Sequence, residues 1–224
     1  MRTALGLVLA LLLVSVLLWR QIRKQRALSQ ERARFLDDCL DLFERPTLRQ
    51  SGAEFPRLVG FVRGSEIQVT PLIDTLAVRK LPSLWLLVTL ASKTPLRGVF
   101  DLMMRPAGTE GFSNFHLLPE GVALPPGWPE RAVIRTDNAA GLPPASVLDR
   151  HMGVFDNPRV KELLISQSGV RLVVQAAEAE RAYYLIYRQA VFSIERLDRE
   201  LLCGLIDRLF AIHEDLATWR SPRP

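Results

Sequence analysis

The chain has 224 residues and a formal net charge of +5, from 29 Lys and Arg against 24 Asp and Glu. Residues 1–26 hold five of those basic residues and no acidic one, so residues 27–224 carry equal numbers and are neutral. A neutral domain lacks the basic surface that binds phosphate backbones, which excludes nucleic acid as a partner. The roughly 200 residues after the first 26 suffice for one domain with a sizeable core.

The first segment predicts a membrane anchor. Residues 4–19 (ALGLVLALLLVSVLLW) carry no charge. Counted from Thr3, the run of about 17 residues spans ~25 Å, and interfacial side chains extend this toward the ~30 Å of a hydrocarbon core. A cleaved signal peptide is the alternative, but bulky residues occupy the positions where a small-x-small cleavage site would fall. The membrane flank that we expect consists of Trp19, Arg20, Arg23, Lys24 and Arg26.

The orientation of this anchor follows from its flanking charges. Four basic residues follow the apolar run, whereas only Arg2 and the terminal amine precede it. The positive-inside rule therefore favours a single-pass protein of the inner membrane with its domain on the cytoplasmic side. The exported side is the alternative. Cys39 and Cys203 are expected to be buried free thiols, whereas one long-range disulfide between them would fit the exported topology.

Residues 27–44 are predicted to form a helix. Residues 27–44 place Leu36, Cys39, Leu40 and Phe43 on one stripe, which predicts a juxtamembrane helix or stalk docked on the domain by its apolar face. A coiled-coil dimer seam is the alternative, but the heptads are too few. We assign residues 27–50 to this element.

From residue 55 the hydrophobic period changes to two, which predicts strands. Residues 58–63 and 66–72 form a hairpin around Gly64, residues 83–90 a strand buried on both faces, and residues 96–105 an alternating strand. The last strand would place Asp101 on a polar face. We expect these four segments to build an antiparallel sheet.

Residues 106–130 interrupt this pattern. They hold five prolines and four glycines, which exclude a continuous helix or strand, and yet they carry several large apolar side chains. Such a loop either pins itself across the sheet as a lid, which is the favoured interpretation, or presents a contact surface. The candidate binding residues of this loop are Phe112, Asn114, Phe115, His116 and Trp128.

The remaining elements complete an α+β chain. The predicted segments are a strand at 131–137, a short helix at 145–152, a hairpin of 162–166 with 170–175, a strand at 181–192 and a final helix. Asp198 is a good N-cap for that helix, whose apolar stripe should cover the sheet. The predicted fold is an N-terminal transmembrane helix followed by antiparallel sheets under a C-terminal amphipathic helix. The predicted parts are an anchor at 1–26, a stalk at 27–50, a domain at 51–216 and a tail at 217–224.

The sequence contains no recognisable catalytic motif. There is no nucleophile elbow, phosphate-binding loop, dinucleotide fingerprint or HExxH zinc motif, and the three histidines do not have metal-ligand spacing. We therefore predict no catalytic residue, no cofactor and no metal. A pair of Ser113 and His116 would need an orienting carboxylate from elsewhere, and a structural role for His116 is the simpler interpretation.

Three stretches carry a family likeness: DLMMRP with GFSNFHLLP in residues 101–119, DTLAVRKLPSLWLLVTL in 74–90, and the hairpin RVKELLIS with GVRLVVQAAEA. In these segments the chain resembles a group of bacterial proteins in which a short N-terminal anchor carries one soluble domain. The likeness covers about residues 55–212. It implies this architecture and no activity.

The leading hypothesis is therefore a single-pass membrane protein with a non-catalytic domain that binds a protein partner or acts as a scaffold at the membrane. The bilayer and a protein are the expected partners. One alternative is an enzyme with a site under the 106–130 loop that uses His116. Another is a lipid-headgroup module, in which Arg79, Lys80, Arg97 and Arg105 converge.

Overall fold

The computed structural model describes the backbone of residues 2–74, 81–108 and 110–219, with side chains from residue 12 onward. The strands in chain order are β1 (Glu44–Arg49), β2 (Arg57–Val62), β3 (Ser65–Asp74), β4 (Ser83–Ala91), β5 (Phe100–Met104), β6 (Glu120–Val122), β7 (Ala132–Thr136), β8 (Val160–Ser166) and β9 (Gly169–Glu178). The α-helices are α1 (Arg2–Ala33), α2 (Ala145–Leu148), α3 (Arg181–Tyr187) and α4 (Arg199–Thr218). Short 3₁₀ segments lie at Asp37–Leu42, Phe115–Leu117, Ala139–Gly141 and Asp149–Asp156.

Within these described ranges the nine strands form one antiparallel sheet, in the order β1-β2-β3-β4-β9-β8-β5-β7-β6. The predicted α+β class with a large antiparallel sheet and a C-terminal helix is confirmed.

The two predicted hairpins are present because their turns are specified locally. Arg63 (φ +51°) and Gly64 (φ +76°) both adopt the left-handed region, as a two-residue turn between twisted strands requires. At the second hairpin, a Cβ on Gly169 would lie 2.1 Å from the carbonyl oxygen of Leu90 on β4. Only glycine allows β9 to approach β4 this closely at that point.

The four segments predicted to build an antiparallel sheet do lie in one sheet, but β4 and β5 are not neighbours. β5 pairs with β7 and β8, and β9 occupies the place beside β4. The chain after β4 crosses the turn of the β8–β9 hairpin, where Thr94 donates its N–H to the Gln167 carbonyl (3.1 Å) and its hydroxyl to the Ser166 carbonyl (2.8 Å). This crossing carries β5 to the far side of the hairpin.

The predicted strand at 181–192 was wrong, because its first half is α3. β9 is already paired with β4 on one side and β8 on the other, so the chain that leaves it finds no free edge there. A single bridge between Ala179 and Phe192 is the remaining strand-like contact of this segment.

The helix predicted over residues 27–44 is shorter in the structure. The helix ends at Ala33, a 3₁₀ segment follows, and the edge strand β1 was missed, although its Pro46 suits an edge position. The expected docking of the apolar stripe is present, since Leu36, Cys39 and Phe43 are buried in the main core.

α4 covers one face of the sheet and closes the main core, as predicted. The Asp198 carboxylate accepts the Glu200 N–H (2.9 Å), so it caps the helix. Leu202, Leu205 and Leu209 are buried against the sheet. A smaller cluster on the opposite face joins Leu87 and Val173 of the sheet to side chains of the loop after β5.

α1 continues outward from this body. Its predicted membrane-spanning part, residues 4–19, lies partly outside the described side chains. In the described part of the chain, no helix is both long and apolar enough to cross a membrane. The last residues of the predicted tail and the six residues after β3 lie outside the described ranges.

Candidate functional site

A pair of acidic side chains lies inside the sheet region, under the loop that follows β5. Asp101 of β5 is opposite Leu164 of β8, and Met103 is opposite Glu162. Asp101 and Glu162 are therefore diagonal neighbours on one face of two adjacent strands. Both side chains are 0% exposed.

The loop covers this pair as a lid, which we define as residues 106–108 and 110–119. Phe112 and Phe115 pack on the second face of the sheet with Leu87, Met103 and Val173. The ring of Phe112 lies 4.9 Å from that of Trp85, between centroids. The lid is thus held by its own aromatic side chains, and Ser113 between them faces both acids.

Neither carboxyl of the acid pair has a hydrogen-bond partner of ordinary geometry among the described residues. No donor in the described structure reaches any of the four carboxyl oxygens with hydrogen-bond geometry. Burial and then the charge of Glu162 raise the pKa of Asp101 to about 9, and burial raises the pKa of Glu162 to about 7. Arg171 and the Ser113 hydroxyl oppose both shifts without cancelling them. The pair therefore retains at least one proton at neutral pH, and a protonated carboxyl is able to donate to its neighbour.

A salt bridge between Lys161 and Glu110 holds the base of the lid. The Lys161 ammonium donates to the carbonyls of Met104 (2.8 Å) and Arg105 (2.7 Å) and lies 3.2 Å from the Glu110 carboxylate. That carboxylate also accepts the N–H groups of Ala107 and Gly108. Burial alone would raise the pKa of Glu110, but these donors hold it below its ordinary value.

The structure separates the candidate loop residues that the sequence grouped together. Phe112 and Phe115 are buried under the lid, whereas Trp128 is buried on the other face, where its indole N–H donates to Asp149 (2.7 Å). Asn114 and His116 are exposed on the outside of the lid. This burial of the aromatic side chains favours the pinned loop over an aromatic contact surface.

Sequence reasoning missed the acid pair. It placed Asp101 on a polar face and gave no role to Glu162. The available signal was one acidic residue inside each of two strongly apolar strands, FDLMM and VKELLIS. A charged residue in such a strand is rarely fully buried without a partner.

The arginines proposed for lipid headgroups do not converge where they are described. Arg97 precedes β5 and lines an open groove near the β8–β9 turn, whereas Arg105 follows β5 and donates to the Pro158 carbonyl (2.8 Å). Arg79 and Lys80 lie outside the described residues. Across the described positions, no group of three or more His, Cys, Asp or Glu is placed to hold a metal ion. Cys39 and Cys203 are both free thiols, Cys39 buried and Cys203 half-buried.

The membrane-flank residues lie together along α1. All five are exposed, and the Arg23 guanidinium carbon lies 5.2 Å from the centre of the Trp19 ring system.

No protein-family model matches the chain, and a comparison with curated proteins finds no match. Among solved structures, the chain is similar to the crystal structure of the mycobacterial trehalose monomycolate transport factor A, TtfA. The TM-score is 0.44 and the sequence identity 11%, with 89% of this chain and 99% of that chain covered. A likeness at this level carries no argument about function.

Proposed function

We propose that the chain is a single-pass membrane protein whose α+β domain binds a protein partner at the bilayer surface without catalysing a reaction. We call α1 the tether, and its proposed insertion into the membrane rests on one observation. The large apolar side chains of α1 from Leu12 to Trp19 are between 50% and 62% exposed. A row of this kind is costly in water, and a bilayer covers it at a gain of about 25 cal/mol per Å².

The tether is fastened to the domain by polar contacts. Ser29 donates its hydroxyl to the Gly52 carbonyl (2.7 Å), and Arg32 donates to the Ala53 carbonyl (2.6 Å). Arg32 also lies over the Phe55 ring, 4.9 Å from its centroid. A helix fixed in this way sets the position of the domain relative to the bilayer, which suits a scaffold.

The basic flank supports a cytoplasmic placement for the domain. Positive residues after a span retain that side in the cytoplasm, and each adds about 1 kcal/mol of attraction to an anionic leaflet. We propose the inner membrane as the location, with the exported side as the alternative.

The outer surface of the lid is the proposed protein-contact site. Leu117 is 67% exposed, and Asn114 and His116 lie beside it. The buried Phe112 and Phe115 hold this surface in place from below. An exposed apolar residue on a loop held by its own core contacts is a common arrangement for recognition.

Membrane extraction tests the tether. We expect the wild-type protein to remain in the pellet after alkaline carbonate washing, and the double variant Leu13→Arg/Leu17→Arg to appear in the soluble fraction. Leu117→Arg is the control, since it places an arginine on an exposed leucine of the domain. Wild-type protein that is released by carbonate would overturn the proposal.

Photo-crosslinking tests the contact site. A crosslinking amino acid at Leu117 should give a discrete protein adduct in native membranes, whereas the same group at the exposed Arg208 of α4 should not. The same adducts from both positions, or none from Leu117, would contradict a contact site on the lid.

The acid pair favours one second candidate, an enzyme that performs acid–base chemistry under the lid. Two adjacent buried carboxyls whose pKa values are both raised resemble the carboxyl pairs that enzymes use for proton transfer. Carbodiimide labelling followed by peptide mass spectrometry separates the two functions. The non-catalytic proposal expects Asp101 and Glu162 to stay unlabelled in the folded protein while the exposed Glu130 reacts. Labelling of the pair at the rate of Glu130 would show a site that opens to solvent and would favour the enzyme.

A further inference from the structure

A short lobe projects from the domain between β9 and α4. Its neck is closed by the bridge between Ala179 and Phe192 and by a hydrogen bond from the Glu180 N–H to the Val191 carbonyl (2.8 Å). α3 forms its outer end. None of the seven residues of this helix is buried.

The side chains of α3 are apolar in spite of this exposure. Tyr183 is 48% exposed, Leu185 58%, Ile186 71% and Tyr187 63%. A helix of seven residues is too short to be stable on its own propensity and normally relies on packing of an apolar face. None of the residues of α3 is buried against the domain, so an apolar environment outside the domain would stabilise it.

The chemistry of α3 fits a bilayer interface. Tyr183 and Tyr187 lie on successive turns with ring centroids 5.9 Å apart, and tyrosine is enriched where hydrocarbon meets headgroups. Arg181 and Arg188 bracket the helix, and the Arg188 guanidinium carbon lies 5.8 Å from the Tyr184 ring centroid. Basic ends around aromatic and aliphatic residues complement anionic headgroups.

The lobe and the tether leave the domain at the same place. Arg32 of α1 donates to the Ala190 carbonyl (3.4 Å), and the Leu197 N–H donates to the Phe35 carbonyl (2.8 Å). The rings of Phe55 and Phe192 are 6.2 Å apart at this junction. From Arg26 of the membrane flank to Arg32 is about 9 Å of helix, and α3 is itself about 10 Å long. The lobe is therefore similar in length to this gap.

We infer that α3 is a second membrane contact, which lays its apolar side chains into the interfacial layer of the bilayer that holds α1. This inference rests on the proposed tether. With two points of contact the domain has one fixed face toward the lipid, which leaves the lid in one fixed orientation.

Depth-dependent fluorescence quenching tests the inference on the full-length protein. In a Cys203→Ser background, an environment-sensitive fluorophore on Ile186→Cys is reconstituted in vesicles of phosphatidylcholine and phosphatidylglycerol. We expect its emission to shift to shorter wavelength and to be quenched by lipids that carry a nitroxide near the headgroup. The matched control is the same label on Leu117→Cys, an equally exposed apolar position, which should show neither change.

The outcomes separate the inference from the tether. A protein that floats with the vesicles while its Ile186 label stays as unquenched as the Leu117 label would overturn the α3 contact and leave the tether standing. A protein that fails to float would overturn the tether. Energy transfer between Ile186 labels on different molecules, without lipid quenching, would assign α3 to a second copy and would also overturn the inference.

Discussion

Asp101 and Glu162 occupy positions where an ordinary core would hold apolar residues. Burying a carboxylate without a compensating donor costs several kcal/mol, so such a group takes up a proton instead. Here two of them are adjacent, and Arg171 and Ser113 relieve the cost only in part. The pair is therefore a local source of instability that responds to pH.

The first prediction concerns this pH response. Both folded-state pKa values, about 9 for Asp101 and about 7 for Glu162, lie above the ordinary values of 3.8 and 4.5. The folded state thus holds protons that the unfolded chain has released, so the free energy of unfolding falls as pH rises from about 4 to about 9. Glu162→Gln should flatten this slope and raise the stability at pH 8 by about 1 kcal/mol, or roughly 2–4 °C in melting temperature.

Chemical denaturation at pH 5 and pH 8 measures this effect. The exposed Glu130→Gln variant is the control and should keep the wild-type slope. An unchanged slope in Glu162→Gln would mean that the pair is ionised in the folded protein and that the proposed proton sharing is wrong.

The second prediction concerns Lys161, which joins β8 to the lid. Lys161→Met removes the ammonium from two carbonyls and leaves the Glu110 carboxylate buried without its cation. Losing one partner of a buried pair costs about 3–5 kcal/mol. In a double-mutant cycle, Glu110→Gln in the Lys161→Met background should recover part of this loss. If the two losses simply add, the ion pair does not hold the base of the lid.

At the scale of elements, residues close in sequence were sufficient to predict some helices and strands but not others. Hairpins and helix caps are set by residues close in sequence, such as Gly64 and Asp198, and these were predicted. The position of β5 depends on where the chain crosses the β8–β9 turn, a contact between residues some 70 positions apart. α3 depends on the absence of a free edge beside β9. The acid pair was missed for the same reason, because β5 and β8 meet only in the fold.

The third prediction concerns the lid as an element. Phe112 is 6% exposed and packs on Trp85, so Phe112→Ala should destabilise the domain by about 3 kcal/mol. Leu117→Ala removes a side chain that is 67% exposed, and should change the stability by no more than about 0.5 kcal/mol. Thermal unfolding of the two variants measures the contrast.

Partner capture gives the complementary result. With the crosslinking amino acid at the neighbouring exposed Asn114, Leu117→Ala should weaken the adduct while the melting temperature stays near that of the wild type. A Phe112→Ala variant of wild-type stability that fails to capture the partner would instead make the buried ring itself the contact surface.

At the scale of the whole molecule, the charge is divided between two parts. The excess of +5 lies within residues 1–26, and the rest of the chain is neutral. The domain therefore has no net attraction to an anionic leaflet, and its placement depends on the tether, its basic flank and the proposed contact through α3. This division was readable from the sequence, since it needs only the order of the charges.

The fourth prediction concerns topology, which this division of charge should control. A reporter enzyme that is active only after export is fused behind Pro224, and it should be inactive in the wild-type chain. Replacing the four basic residues that follow the apolar run by Gln removes the positive-inside signal, so the reporter should become active in part of the population.

The control variant neutralises four exposed arginines of the domain, namely Arg49, Arg131, Arg159 and Arg208. Arginines this far from the span have little effect on orientation, so the control should stay inactive. An active reporter in the wild type would place the domain on the exported side, where α3 would contact the opposite leaflet.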